Sequence, residues 1–88
     1  MSIRANVVVQ DPIGLHARPA GQIVKLVKES GLEVLIGPEG GEMVKANSPL
    51  RMMAMKAKTG DVLSVEIETE DAAVAEGIIS QIQDFLKG

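Results

Sequence analysis

The chain has 88 residues, 45% of them apolar, and nine basic against twelve acidic side chains give it a formal net charge of −3. This length suits one domain, residues 1–88, with a modest core, and the lack of an apolar leader or spanning segment predicts a cytoplasmic protein without membrane insertion. The acidic balance and the single aromatic residue, Phe85, argue against nucleic-acid binding, and the absence of cysteine excludes disulfides and cysteine-based metal sites.

Two periodic segments open the chain. Residues 3–9 carry apolar side chains at every second position, which predicts a strand with one buried face. Residues 11–14 have the composition of a turn. Residues 17–29 then repeat apolar side chains at helical spacing, which predicts an amphipathic helix that ends at Ser30 and Gly31. The predicted buried stripe of this helix consists of Ala20, Ile23, Val24 and Val27.

The middle of the chain predicts a hairpin followed by a short helix. Residues 32–36 alternate like a strand, residues 37–41 have a strong turn composition, and residues 43–46 indicate a shorter second strand. Ser48 followed by Pro49 is typical of a helix start. Serine caps the free backbone amides, and proline has no backbone N–H that would stay unpaired at the first helical position. Periodicity leaves two competing apolar stripes on this helix, one of residues 50, 53, 54 and 57 and one of residues 52 and 55.

A strand and a long helix complete the chain. Residues 62–67 alternate with Leu63, Val65 and Ile67 on one face. The last helix starts at Thr69 or Asp71. Its predicted buried stripe consists of Val74, Ala75, Ile78, Ile79, Ile82, Phe85 and Leu86. The order β-α-β-β-α-β-α predicts an α+β fold of two layers, with a four-stranded sheet covered on one face by three helices.

The only histidine of the chain, His16, directly precedes the first helix. The free N–H groups and the positive dipole end of a helix start favour an anion, and phosphate is a common occupant. Arg18 offers a planar cation that matches phosphate oxygens, while Pro19 has no amide and restricts the backbone before it. Because imidazole exchanges a proton near neutral pH, His16 is either a phosphoryl acceptor or an ordinary capping residue.

A longer motif decides between these two roles of the histidine. The run Gly14-Leu15-His16-Ala17-Arg18-Pro19-Ala20 resembles the active-site signature of HPr, the histidine-containing phosphocarrier family of the bacterial phosphoenolpyruvate-dependent sugar phosphotransferase system. The likeness extends to Ala46-Asn47-Ser48, to Gly60-Asp61 and to the helix start at Asp71-Ala72. The resemblance implies an open-faced sandwich in which the four-stranded sheet is antiparallel.

The resemblance also implies a covalent carrier rather than an enzyme. His16 would accept a phosphoryl group on Nδ1 from enzyme I and pass it to the IIA component of a sugar-specific enzyme II. Arg18 and the backbone amides of Ala17 and Arg18 would hold the phosphoryl group. The chain has no second histidine, no cysteine and no evident general base for a small substrate, so we expect no cofactor and no metal. The expected form is a monomer.

Ser48 has both a structural and a regulatory interpretation. As a helix cap, it accepts hydrogen bonds from backbone amides. In some members of the HPr family, the serine at this position is the target of a regulatory serine kinase, whose phosphate adds negative charge at a helix start. The usual Lys-Ser-Ile-Met-Gly of the family is replaced here by Asn47-Ser48-Pro49-Leu50-Arg51, and Lys56 stands where the family commonly has glycine.

A partner-binding surface is predicted around the second helix. The family positions turn Met52 and Met55 inward and leave an apolar patch exposed near His16, and such patches often mark docking surfaces. Basic residues at the rim of this patch would steer acidic partner surfaces. The predicted partner-binding residues are Ala20, Lys25, Lys28, Pro49, Leu50, Arg51 and Met53.

Two other functions stay open. One is a regulatory phosphocarrier of the nitrogen-related branch of the system, which uses the same phosphohistidine to signal. The other is a protein-binding regulator without phosphoryl chemistry, although silent relatives of that kind lack the histidine that this chain retains.

Overall fold

The computed structural model describes residues Met1–Gly88, and its elements follow the predicted order. The strands are β1 (Ser2–Val8), β2 (Val34–Pro38), β3 (Val44–Lys45) and β4 (Val62–Glu68). The helices are α1 (Ala17–Ser30), α2 (Pro49–Ala54) and α3 (Ala72–Phe85). The strands form one antiparallel sheet in the order β1-β4-β2-β3, which confirms the predicted α+β architecture.

The centre of the sheet is β4, which pairs with β1 on one side and with β2 on the other. Its alternate residues Leu63, Val65 and Ile67 are buried, as predicted. Val7 of β1 lies opposite Leu63, and Ile36 of β2 lies opposite Val65, so the apolar positions of neighbouring strands share one face. This register produces the buried face on which the helices pack.

The three helices cover that face. The predicted stripe of α1 is buried, and Gly31 ends the helix in the left-handed conformation with φ 69°. The buried line of α3 consists of Ala75, Ile78, Ile82 and Leu86. The prediction that Val74 is buried is wrong. Val74 lies in the first turn of α3, beside the buried line rather than on it, and is 43% exposed. No helix has the length and apolar character required to cross a membrane.

The hairpin differs from its predicted boundaries. Strand β2 begins at Val34 and continues through Gly37 and Pro38, which pair with residues of β4 instead of forming the turn. Gly37 fits because any β-carbon there would collide with the backbone carbonyl of Glu42. The turn is therefore displaced to residues 39–43, and β3 is reduced to two residues. Pairing with a central strand outweighs local turn composition at this point.

Helix α2 resolves the ambiguity between the two apolar stripes. Met52 is fully buried, and Met55 packs partly buried against the core, so the stripe of residues 52 and 55 faces inward. After the C-cap at Met55, Lys56 adopts a positive φ of 54° and donates its amide to Met53 at 3.0 Å. The chain thus leaves the helix through a left-handed residue that is not glycine.

The outer edge of β1 is tied to α3 by one side chain. The amide oxygen of Gln83 accepts the backbone N–H of Val8 at 2.9 Å, and the Gln83 side-chain nitrogen donates to the Val8 carbonyl at 2.8 Å. Both backbone groups of Val8 are therefore satisfied by a helix rather than by another strand.

Candidate functional site

The backbone before α1 places His16 at the N-cap of the helix. Gly14 has φ +88°, and a β-carbon there would collide with the carbonyl of Ala57, so this position requires glycine. Leu15 is buried and donates its amide to the same carbonyl at 3.0 Å. His16 itself is extended, with φ −103° and ψ −173°. Packing of the preceding turn against the residues after α2 therefore fixes the position of His16.

Two backbone amides at the start of α1 are free. The first bond into the helix is donated by Ala20 to the carbonyl of His16 at 3.1 Å. Pro19 has no N–H group, so the amides of Ala17 and Arg18 are the two donors left without a partner. The side chain of His16 does not cap them. With the positive end of the helix dipole, they provide donors for an anion next to the imidazole.

The imidazole of His16 has one hydrogen-bond partner. Its Nε2 lies 2.9 Å from Oδ2 of Asp11. The His16 side chain is 30% exposed, whereas that of Asp11 is only 8% exposed. The other ring nitrogen, Nδ1, has no hydrogen-bond partner. Because every buried side-chain nitrogen and oxygen of the protein does have a partner, Nδ1 must be accessible to solvent. In the imidazole, Nε2 is therefore hydrogen-bonded, whereas Nδ1 is free to react.

The carboxylate of Asp11 is kept ionised by its surroundings. The backbone amide of Ile13, which donates to Oδ1 at 2.8 Å, lowers the pKa of Asp11 most. The hydrogen bond with His16 lowers this pKa further, and the charges of His16 and Arg18 act in the same direction, while burial opposes them. The lowering of the Asp11 pKa by hydrogen bonds and positive charges thus outweighs the raising of it by burial.

An open cleft of about 460 Å³ contains the site. His16 and Arg18 line it together with Asp11, and the C-terminal end of α3 contributes Asp84 and Phe85. The predicted pair of His16 and Arg18 is therefore brought to one surface. No group of three or more histidine, aspartate or glutamate side chains is arranged to hold a metal ion.

Sequence reasoning missed Asp11, which it treated only as a turn residue. The available signal was an aspartate five positions before the sole histidine, in a segment whose turn brings the chain back on itself. Aspartate is so common in turns, where it accepts an amide two residues on, that the turn alone explains it. The contact with His16 becomes evident only when the position of α1 is known.

The predicted partner-binding residues divide by exposure. Leu50 is 76% exposed, and the basic side chains Lys25, Lys28 and Arg51 are exposed as well. Pro49 and Met53 are only half-buried, so the apolar patch is narrower than predicted. Ala20 is fully buried in the core and does not belong to this surface. Sequence proximity to the motif placed Ala20 there, but its position on the inner stripe of α1 removes it.

Ser48 occupies the N-cap position of α2. Its hydroxyl oxygen accepts the backbone amide of Arg51 at 3.4 Å, and Pro49 follows as the first helical residue. The side chain is half-buried. The capping interpretation of Ser48 is confirmed, with a bond at the long end of the usual range.

Comparisons with known proteins identify the family of this chain. The family model described as PTS HPr component phosphorylation site matches residues 3–87. The chain is 27% identical over 88 residues to phosphocarrier protein NPr of Klebsiella oxytoca, covering 100% of this chain and 96% of that protein. It is 31% identical over 80 residues to phosphocarrier protein HPr of Mycoplasma pneumoniae, with 90% of each covered. The crystal structure of HPr from Bacillus anthracis matches with a TM-score of 0.78 at 25% identity, covering 96% and 95% of the two chains.

Proposed function

This chain belongs to the PTS HPr family, and from that premise we propose that His16 is the residue that accepts and releases a phosphoryl group. The observation that carries the proposal is that Nδ1 of His16 has no partner and that His16 is the N-cap of a helix whose first two amides are free. The amides of Ala17 and Arg18, and the guanidinium of Arg18, offset the charge of a phosphoryl group bound there.

The proposed reaction needs little machinery within the carrier. The donor is a phosphohistidine of enzyme I, and the acceptor is a histidine of a IIA component. The Nδ1 lone pair of His16 forms a bond to phosphorus while the donor nitrogen–phosphorus bond breaks and leaves its electron pair on the donor nitrogen. Onward transfer repeats the exchange with His16 as the leaving group. Exposure of the ring at an open cleft supports access by both partners.

Partner docking is proposed on the surface formed by α1 and α2. Leu50 of α2 provides an exposed apolar side chain, and Lys25 and Lys28 of α1 and Arg51 of α2 provide exposed positive charge. These three cations are on the proposed docking surface although the chain as a whole has a net charge of −3. Such a rim favours encounter with acidic partner surfaces, mainly through the association rate.

The test is incubation with phosphoenolpyruvate and enzyme I, followed by mass spectrometry of the intact chain. We expect an acid-labile phosphoryl adduct on the parent and none on His16→Ala. Lys45→Ala, which removes an exposed cation on β3 that does not line the cleft of His16, is the matched control and should label like the parent. An unlabelled parent, or a His16→Ala chain that is labelled equally, contradicts the proposal.

The nitrogen-related branch is the second candidate. It is favoured by the 27% identity to phosphocarrier protein NPr along the entire chain. The two branches are separated by supplying either the sugar-type or the nitrogen-type enzyme I and by measuring onward transfer to each type of IIA protein. Efficient transfer to a sugar-specific IIA supports the first candidate, and transfer only to the nitrogen-type partner supports the second.

Regulation through Ser48 is a further part of the proposal. A phosphate on Ser48 would add negative charge next to the exposed Leu50 and Arg51, on the proposed docking surface. Pro49 changes the backbone that a kinase would bind. Incubation with a cognate kinase and ATP should label the parent and not Ser48→Ala. Equal labelling of the two chains rules out this site.

A further inference from the structure

We propose that Asp11 is a positioning residue that holds the proton of His16 on Nε2 and thereby leaves the Nδ1 lone pair free to attack phosphorus. This role rests on the proposed function of His16 as a phosphoryl acceptor. Asp11 itself does not touch the phosphoryl group. It acts on the reaction through the orientation and the tautomer of the imidazole.

The proton assignment follows from the chemistry of the two partners. An ionised carboxylate has no hydrogen to donate, so a ring nitrogen that bonds to it must be the donor. The pKa of Asp11 is lowered, first by the Ile13 amide, so the carboxylate form prevails near neutral pH. The 2.9 Å contact therefore places the hydrogen on Nε2 of His16. In neutral imidazole the other nitrogen, Nδ1, then carries the lone pair.

Asp11 is held rigidly enough for this task. Its backbone N–H donates to the carbonyl of Leu86 at 2.7 Å, and its own carbonyl accepts the hydroxyl of Thr59 at 2.6 Å. The second carboxylate oxygen is occupied by the Ile13 amide. The segment after α2 and the end of α3 thus fix the carboxylate from outside its own turn. Such anchoring keeps the imidazole oriented without an additional ordering cost when a partner docks.

The same contact also fits the phosphorylated state. When Nδ1 carries a phosphoryl group and Nε2 keeps its hydrogen, the ring is cationic, and the adjacent Asp11 carboxylate stabilises this charge. On release, the electron pair of the nitrogen–phosphorus bond returns to Nδ1 and restores the starting tautomer. No proton has to move within the carrier during the cycle. The other charged side chains that line the cleft are Arg18 on α1 and Asp84 on α3, and Asp84 is paired with Lys87 at 3.2 Å.

The experiment compares the parent with Asp11→Asn and Asp11→Ser. An asparagine oxygen still accepts the Ile13 amide, but its NH₂ group donates to Nε2 and so favours the hydrogen on Nδ1. Serine preserves a turn acceptor and leaves the tautomer without a bias. ¹⁵N NMR of the imidazole should show Nε2–H in the parent, Nδ1–H in Asp11→Asn and a mixture in Asp11→Ser. Phosphoryl uptake should be fastest in the parent, intermediate in Asp11→Ser and slowest in Asp11→Asn, where we expect a fall of about ten- to hundredfold.

The control is Asp71→Asn, which makes the same chemical change at the N-cap of α3 and should alter neither readout. A parent with Nδ1–H, or an Asp11→Asn chain with the parent tautomer, overturns the role of Asp11 even if transfer becomes slow. If Asp11→Asn does not fold, the parent and Asp11→Ser still decide, because loss of the bias must change the tautomer ratio. A parent that shows Nε2–H but takes no phosphoryl group refutes the proposed function and not the proton assignment.

Discussion

Replacement of Lys56 by glycine should stabilise the protein. Lys56 is the only residue other than glycine with a positive φ, at 54°, and no hydrogen bond or ion pair of its side chain compensates for this conformation. The left-handed region brings the β-carbon of an L-residue close to its own carbonyl oxygen. Glycine lacks that atom and adopts the same backbone without strain. The helix end at Met55 and its hydrogen bonds remain available to the variant.

The size of the effect follows from two opposing contributions. The left-handed conformation costs a non-glycine residue roughly 1–2 kcal/mol. Glycine gives back about 0.4–1 kcal/mol because it has more freedom in the unfolded chain. Lys56→Gly should therefore raise the free energy of unfolding by about 0.5–1 kcal/mol. For a chain of 88 residues, this corresponds to an increase in Tm of about 3–5 °C.

Lys58→Gly is the matched control, since Lys58 is also exposed and lies two residues further on with φ outside the positive region. The hydrogen bond that its backbone N–H donates to the Asp61 carboxylate at 2.9 Å remains possible in the variant. Here only the unfolded-state contribution acts, so stability should fall by about 0.4–1 kcal/mol. Thermal and urea unfolding followed by circular dichroism measure both variants. A Lys56→Gly chain that is destabilised like Lys58→Gly refutes the reasoning.

Three further predictions concern the turn and the caps. Gly14→Ala combines a left-handed backbone with a collision at Ala57 and should cost about 2–4 kcal/mol in urea unfolding; a loss below about 1 kcal/mol contradicts this steric account. The folded-state pKa of Asp11 lies below its unfolded value, so the stability it contributes is present above the unfolded value and is lost as pH falls through the folded one. The parent should therefore lose more stability than Asp11→Asn below about pH 4, and equal acid dependence of the urea midpoints argues against it. Asp71→Ala removes two hydrogen bonds from backbone amides, of 3.0 and 3.2 Å, and should lower the free energy of unfolding by about 1 kcal/mol. Ser48→Ala removes one such hydrogen bond of 3.4 Å and should lower it by about 0.5 kcal/mol. A larger loss in Ser48→Ala than in Asp71→Ala rules out hydrogen bonding as the cause.

The sequence predicted those features that local chemistry determines. The stripe of α1 repeats at helical spacing on an uninterrupted segment, so its burial and its end at Gly31 follow from periodicity and capping alone. Alternation in β4 identifies the buried face in the same way. At the site, His16 and Arg18 stand out because their chemistry is rare in this chain and their motif is continuous in sequence.

Features that depend on distant parts of the chain were not predictable in this way. Gly37 and Pro38 have turn composition, but pairing with the central strand draws them into β2. Val74 fits the helical repeat, yet its exposure depends on where the first turn of α3 lies relative to the core. The role of Asp11 depends on Thr59 and Leu86, which hold its backbone and are separated from it by 48 and 75 positions in the sequence. Periodicity contains no information about such contacts.

The link between Gln83 and Val8 has a consequence for self-association. A strand at the edge of a sheet exposes unpaired backbone groups, to which a second chain can add a strand of its own. The Gln83 amide presents one acceptor and one donor to the end of β1, as a neighbouring strand would, and so occupies the groups that an incoming chain would use there. The opposite edge, β3, offers only two residues for pairing. The Val8 end of β1 is therefore closed to an incoming strand, and the short β3 is a poor template at the opposite edge.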